Sequence, residues 1–210
     1  MTETETGTAA PSAWNIANAL TVLRLLLVPV FGWLLLFGDG HQTGMRYWAA
    51  FVFFVAMLTD RIDGDLARSR GLVTDFGKVV DPIADKALMT MALVGLSYLG
   101  DVSWWVTVLI LVREWGVTAL RFVVIRHGVL PASRGGKVKT LLQALGLWLF
   151  VLPLWSWPGA NGWHTIAWGV LLVALVVTMV TGLDYVGRAI RLRRNSPRAQ
   201  MKRARSQRQS

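Results

Sequence analysis

Residues 20–37 read LTVLRLLLVPVFGWLLLF, from Leu20 to Phe37, and contain a single charge, Arg24. A helix needs about 20 apolar residues to cross a bilayer core, so this run has the length and composition of a span. Five further apolar cores follow: Tyr47–Leu58, Ala84–Leu99, Trp104–Val124, Leu141–Trp155 and Thr165–Leu183. The second is short, and its helix is expected to continue past the membrane into an acidic segment. The fold class read from this pattern is all-α, a polytopic membrane bundle of six transmembrane helices. Residues 13–187 form the membrane domain, between a polar N-terminal tail at 1–12 and a basic C-terminal tail at 188–210. The N-terminal tail has no basic n-region and no cleavage pattern, so the first span is expected to be retained.

The 54% of hydrophobic residues fall in blocks with the charges between them, the reverse of a soluble amphipathic pattern. There is no cysteine, which excludes disulfides, thiol catalysis and thiolate metal sites. Of the 22 Lys and Arg residues behind the net charge of +10, nine lie in the last 23 positions. That run follows an apolar span and carries no aromatic residue for base stacking, so it reads as a tail on anionic lipid heads rather than a nucleic-acid site. The connections Gly38–Gly44, Gly100–Ser103 and Ser156–His164 hold no Lys or Arg, whereas Asp60–Lys86, Arg126–Lys139 and the C-terminal tail are rich in them. The positive-inside rule places the basic group, and with six spans both termini, in the cytoplasm of a cell-membrane protein. Trp104, Trp105, Trp155, Trp157, Trp163 and Trp168 gather at the opposite interface. The three histidines, His41, His127 and His164, fall in predicted loops and read as solvated.

Six of the twelve acidic residues lie between Asp60 and Asp85, in DRIDGDLARSRGLVTDFGKVVDPIAD. At roughly 100° per residue, positions 60, 63, 64, 67 and 68 share one helix face, and 77, 81 and 85 share another. Two such helices facing each other bring Asp60, Asp63, Asp81 and Asp85 together, with Gly64, Ala67 and Gly77 making room beside them. Carboxylates that close repel unless a hard divalent cation neutralises them. Arg68 is placed to grip a phosphate. The constellation describes a metal-assisted phosphoryl-transfer site at the cytoplasmic membrane surface.

This stretch resembles the complete signature of the CDP-alcohol phosphotransferases, and the six spans match that family as well. The resemblance implies that Asp60, Asp63 and Asp81 ligate two metal ions, Mg²⁺ or Mn²⁺, and that Asp85 touches a metal and acts as general base. It implies further that Gly64, Ala67 and Gly77 border a cytidine pocket, and that Arg68 and Thr74 contact the nucleotide diphosphate. The start of the first span, with Asn18, Thr21 and Arg24, resembles the family's Asn-x-x-Thr-x-x-Arg element; Asn18 and Thr21 lie one turn apart and can meet the same CDP-diacylglycerol. Arg24 in that element also reads simply as an interfacial anchor. A homodimer is expected from the family alone.

A second stretch bears on the acceptor. Arg113 and Arg121 enter an otherwise apolar span, where a cation is costly and usually functional, and Lys137 and Lys139 follow a glycine pair. They form a candidate acceptor-phosphate site, and they resemble the Arg-Glu and Gly-Lys-x-Lys-Thr elements of the family's glycerol 3-phosphate branch. The expected reaction is transfer of a phosphatidyl group from CDP-diacylglycerol to glycerol 3-phosphate at the lipid bilayer. Phosphatidylglycerol or inositol phosphate are the alternative acceptors within the same chemistry. From other classes, a membrane prenyltransferase needs a second, distant Asp cluster. A cation transporter holds its carboxylates near the bilayer midplane. A lipid-binding scaffold leaves the four aligned acids unexplained.

Overall fold

The computed structural model describes residues 16–70, 75–124 and 134–195, with the side chains of 17, 18, 61–82, 85, 121–124, 134–138 and 193–195 outside that description. Both tails therefore lie largely outside it. Among the described residues the protein is all helical: α1 (Ile16–Leu36), α2 (Thr43–Arg70), α3 (Asp75–Tyr98), α4 (Trp104–Val124), α5 (Arg134–Val151) and α6 (Ala160–Asn195). Each apolar core of the sequence has its helix. α2 runs through the acidic segment, as its short apolar core implied. Windows long and apolar enough to cross a membrane occur at Ala19–Gly40 and Ala160–Leu192.

Two compact units divide the chain, Met1–Gly95 and Leu96–Ser210. In the first, α1 packs along α2 with the Phe31 and Phe53 rings 5.4 Å apart, and Leu34 and Leu35 of α1 and Ala49, Ala50 and Ala56 of α2 are buried as well. Alanine and glycine let these helices approach closely. A Cβ on Gly32 would lie 2.8 Å from the Met91 methyl, and one on Gly95 2.7 Å from Leu35, so α3 closes against α1 at two positions that lack a side chain. Between α1 and α2 a single 3₁₀ turn, Phe37–Gly40, reverses the chain with positive φ at Gly38, Asp39 and Gly40 (59°, 53° and 70°). The Arg46 Nε donates to the Gly40 carbonyl at 2.9 Å and ties down this turn.

In the second unit α4 and α5 both pack on α6. α5 ends at Val151, short of the Trp155 that its apolar core suggested. Pro153 has no N–H and disfavours helix in the residue before it, and a 3₁₀ turn (Leu154–Ser156) follows instead. His164 lies inside α6 rather than in a loop, edge-on to Phe150 and Trp168. His41 is exposed in the α1–α2 turn, and His127 lies outside the described residues.

Candidate active site and acceptor site

α2 carries Asp60, Asp63, Gly64, Ala67 and Arg68 in its C-terminal turns, and α3 carries Gly77, Asp81 and Asp85 in its N-terminal half, so each stripe is borne by one continuous helix within the first unit. The side chains of Asp63, Ala67, Arg68, Asp81 and Asp85 lie outside the described residues, as do that of Asn18 on α1 and the whole of Thr74. Among the described residues there is no cluster of three or more acidic or histidine side chains.

Asp60 anchors what can be described. The Arg24 Nη1 lies 2.7 Å from its Oδ1, and Arg24 itself is fully buried. Thr21, one turn earlier on α1, is 1% exposed. A buried guanidinium on the acidic stripe offsets one of the charges that the sequence gathers there. Arg24, which the sequence offers both as part of the Asn-x-x-Thr-x-x-Arg element and as an interfacial anchor, is thus paired with the first acid of the stripe. The available signal was its position as the one charge in an 18-residue apolar run. A carboxylate offers about four lone-pair sites, so an arginine on one oxygen is compatible with metal ligation by the same side chain. The donor set is oxygen only, which suits Mg²⁺ or Mn²⁺.

The second unit holds a polar cluster on three helices. Arg113 on α4 donates from Nη1 to Glu114 Oε1 and from Nη2 to Thr181 Oγ1 on α6, both at 2.9 Å. The Thr181 hydroxyl donates its own proton to carbonyls of α6, Val177 at 2.8 Å and Thr178 at 3.1 Å, leaving a lone pair for Arg113. Lys139 Nζ on α5 meets the same Glu114 Oε1. Gly182 makes the arginine's path possible, since a Cβ there would lie 2.9 Å from Arg113 Nε and 3.0 Å from its Cγ. Two cations and one anion leave this trio at +1, in surroundings where the side chains are 13%, 20% and 9% exposed for Arg113, Glu114 and Lys139.

Of the sequence-derived acceptor residues, Arg113 and Lys139 are therefore brought together. Arg121 on α4 and Lys137 on α5 have side chains outside the described residues. Glu114 is the residue that sequence reading did not single out as part of the site. An acid beside an arginine inside an apolar helix was the signal.

Both cations share one carboxylate oxygen, so their repulsion without it is large: about 3 kcal/mol at roughly 5 Å and an effective dielectric constant of about 20. Glu114→Gln is expected to destabilise the protein by about 1–3 kcal/mol, and adding Lys139→Gln is expected to recover much of that loss. Thermal unfolding of both variants in detergent measures the coupling. Equal stability of the single and double variants removes Glu114 as the counter-charge.

Helices throughout the described residues, an acidic sequence stripe on two consecutive helices and a largely buried cation pair suit a protein that handles phosphorylated substrates. Residues 14–180 match the model of the CDP-alcohol phosphatidyltransferase family, and the chain belongs to that family. It is 54% identical over 189 residues to a "Probable phosphatidylglycerophosphate synthase" of Mycobacterium tuberculosis, covering 89% of this chain and 88% of the relative. It is 36% identical over 187 residues to the "CDP-diacylglycerol--glycerol-3-phosphate 3-phosphatidyltransferase" of Bacillus subtilis, covering 82% and 93%. A "Cardiolipin synthase (CMP-forming)" of Streptomyces coelicolor is 30% identical over 178 residues, covering 80% and 81%.

Proposed function

We propose that this phosphatidyltransferase moves the phosphatidyl group of CDP-diacylglycerol to glycerol 3-phosphate, giving phosphatidylglycerophosphate and CMP. The observation that carries the acceptor is the largely buried Arg113–Lys139 pair, two cations on the one carboxylate of Glu114. A cation pair of this kind suits an acceptor that brings its own phosphate, which serine or choline does not. The names of the relatives at 54% and 36% identity narrow that class to glycerol 3-phosphate.

In this reading Asn18, Thr21, Arg68 and Thr74 hold the donor, with Gly64, Ala67 and Gly77 clearing room for cytidine. Asp60, Asp63, Asp81 and Asp85 hold two divalent ions, Mg²⁺ or Mn²⁺, which when bound supply positive charge to the diphosphate. Arg24 keeps Asp60 in place from its buried side. Asp85 takes the proton from the acceptor hydroxyl, whose oxygen bonds to the phosphorus bearing diacylglycerol. The bond from that phosphorus to the CMP oxygen breaks, and CMP leaves. Arg113, Arg121, Lys137 and Lys139 hold the acceptor's phosphate.

All six helices span the cell membrane, with both termini and the acidic stripe on the cytoplasmic side and two copies forming a homodimer. The outward apolar side chains of α1 and α6, such as Leu26, Trp33, Val176, Val180 and Leu183, support that embedding, as do the close approaches at alanine and glycine, the usual packing mode in lipid.

Acceptor and donor can be separated kinetically. Lys137→Ala and Lys139→Ala are expected to raise the KM for glycerol 3-phosphate about ten- to a hundred-fold with the KM for CDP-diacylglycerol little changed, and Arg68→Ala is expected to do the reverse. CMP release at fixed ionic strength provides both constants. Equal losses on the two substrates in the lysine variants rule out a dedicated phosphate site. A wild-type preference for phosphatidylglycerol or inositol phosphate overturns the acceptor itself.

A further inference from the structure

Three buried polar atoms of the second unit have no hydrogen-bond partner among the described residues: Arg113 Nε on α4, Gln143 Oε1 on α5 and Thr178 Oγ1 on α6. Gln143 is 3% exposed and Thr178 0%. Native proteins pair nearly all such groups, so three in one unit ask for a ligand that satisfies them.

Helix register puts them within about two turns of one another along α6. Phe150 meets Trp168 and Gly146 meets the backbone of Leu171, so α5 and α6 run antiparallel. Two turns further along that register Lys139 comes level with Thr178, and Gln143 lies one turn from Lys139 on the same face of α5. Arg113 reaches α6 at Thr181 and Gly182, one turn beyond Thr178. The unpartnered atoms thus sit beside the cation pair on the same three helices.

Their chemistry differs from that of the cations. An Nε–H only donates, an amide oxygen only accepts and a threonine hydroxyl does both. An amide oxygen repels a phosphate but accepts from a hydroxyl, and the threonine or the Nε–H donates back to the hydroxyl oxygen. We propose that Gln143 and Thr178, next to the Arg113–Lys139 pair, form a subsite that reads the second hydroxyl of a small polyol phosphate. The subsite rests on the acceptor reading above and extends it: the cations take the phosphate, and this neutral set recognises the carbon skeleton that carries it.

The test uses the full chain in detergent with CDP-diacylglycerol and two acceptors, glycerol 3-phosphate and 3-hydroxypropyl phosphate. The second has the same phosphate and terminal hydroxyl but no secondary hydroxyl. The wild-type protein is expected to favour glycerol 3-phosphate about ten-fold or more in kcat/KM. Gln143→Leu and Thr178→Val are expected to bring the ratio close to one by raising the KM for glycerol 3-phosphate, while use of 3-hydroxypropyl phosphate stays within about two-fold. Thr178→Ser, which keeps the hydroxyl, is expected to keep the ratio. A wild-type ratio near one, or an unchanged ratio in both apolar variants, overturns the subsite and leaves these atoms to water. If the wild-type protein uses neither acceptor yet releases CMP with another, the acceptor assignment falls first and the subsite with it.

Discussion

Asp85→Asn is expected to lower turnover by about 10² or more while the protein stays folded and still binds CDP-diacylglycerol. Asparagine matches aspartate in shape but cannot take a proton, so the substitution removes the base and keeps the volume. The position argues for a role in chemistry rather than in folding. Asp85 lies on α3 one turn after Asp81 and two turns after Gly77, on the stripe that faces the acids of α2 in the proposed arrangement. The chain has no cysteine, and among the described residues both His41 and His164 are engaged elsewhere, in a turn and in an aromatic cluster. The measurement is single-turnover CMP release, with donor binding and thermal unfolding followed in parallel. Turnover near the wild-type value in a folded variant removes Asp85 as the base. Loss of donor binding together with turnover makes it a ligand-holding residue instead.

Removing divalent cations is expected to abolish activity, with Mg²⁺ or Mn²⁺ restoring it after excess EDTA has been dialysed away. Four carboxylates on two consecutive helices carry four negative charges. The described residues supply one neutralising partner in the first unit, the buried Arg24 on Asp60. Carboxylates brought that close repel one another, and in the proposed reading divalent cations supply the charge that lets a diphosphate approach. Cation binding to the folded state also predicts a rise in unfolding temperature with added Mg²⁺, because a ligand that binds only the native state stabilises it. That rise should vanish in Asp60→Asn/Asp63→Asn. Full activity in excess EDTA eliminates the metal-assisted mechanism, and a temperature shift that survives the double substitution places the cation elsewhere.

Much of this molecule is local information and could be read directly. The six helices of the described residues follow from six runs of apolar residues, and the extension of α2 to Arg70 follows from an acidic segment that keeps helical spacing. The stripes at 60, 63, 64, 67 and 68 and at 77, 81 and 85 need only the helical repeat. Helix ends were less legible. α5 stops at Val151 because Pro153 withdraws a hydrogen bond that composition alone does not register, and α6 extends through its polar end to Asn195.

What only the tertiary structure decided are the partners. Arg24 and Asp60, Lys139 and Glu114, and Arg113 and Thr181 stand on different helices, the last two pairs separated by 25 and 68 positions. A sequence shows that each of these groups is costly in an apolar helix, but not which neighbour offsets it. That choice belongs to helix register, and register is set where glycine lets a neighbour close in, at Gly146 against the Leu171 backbone and at Gly182 against the Arg113 side chain. A shift of one residue turns a side chain by roughly 100° around its helix, enough to point Glu114 away from Lys139 and leave that lysine without its counter-charge.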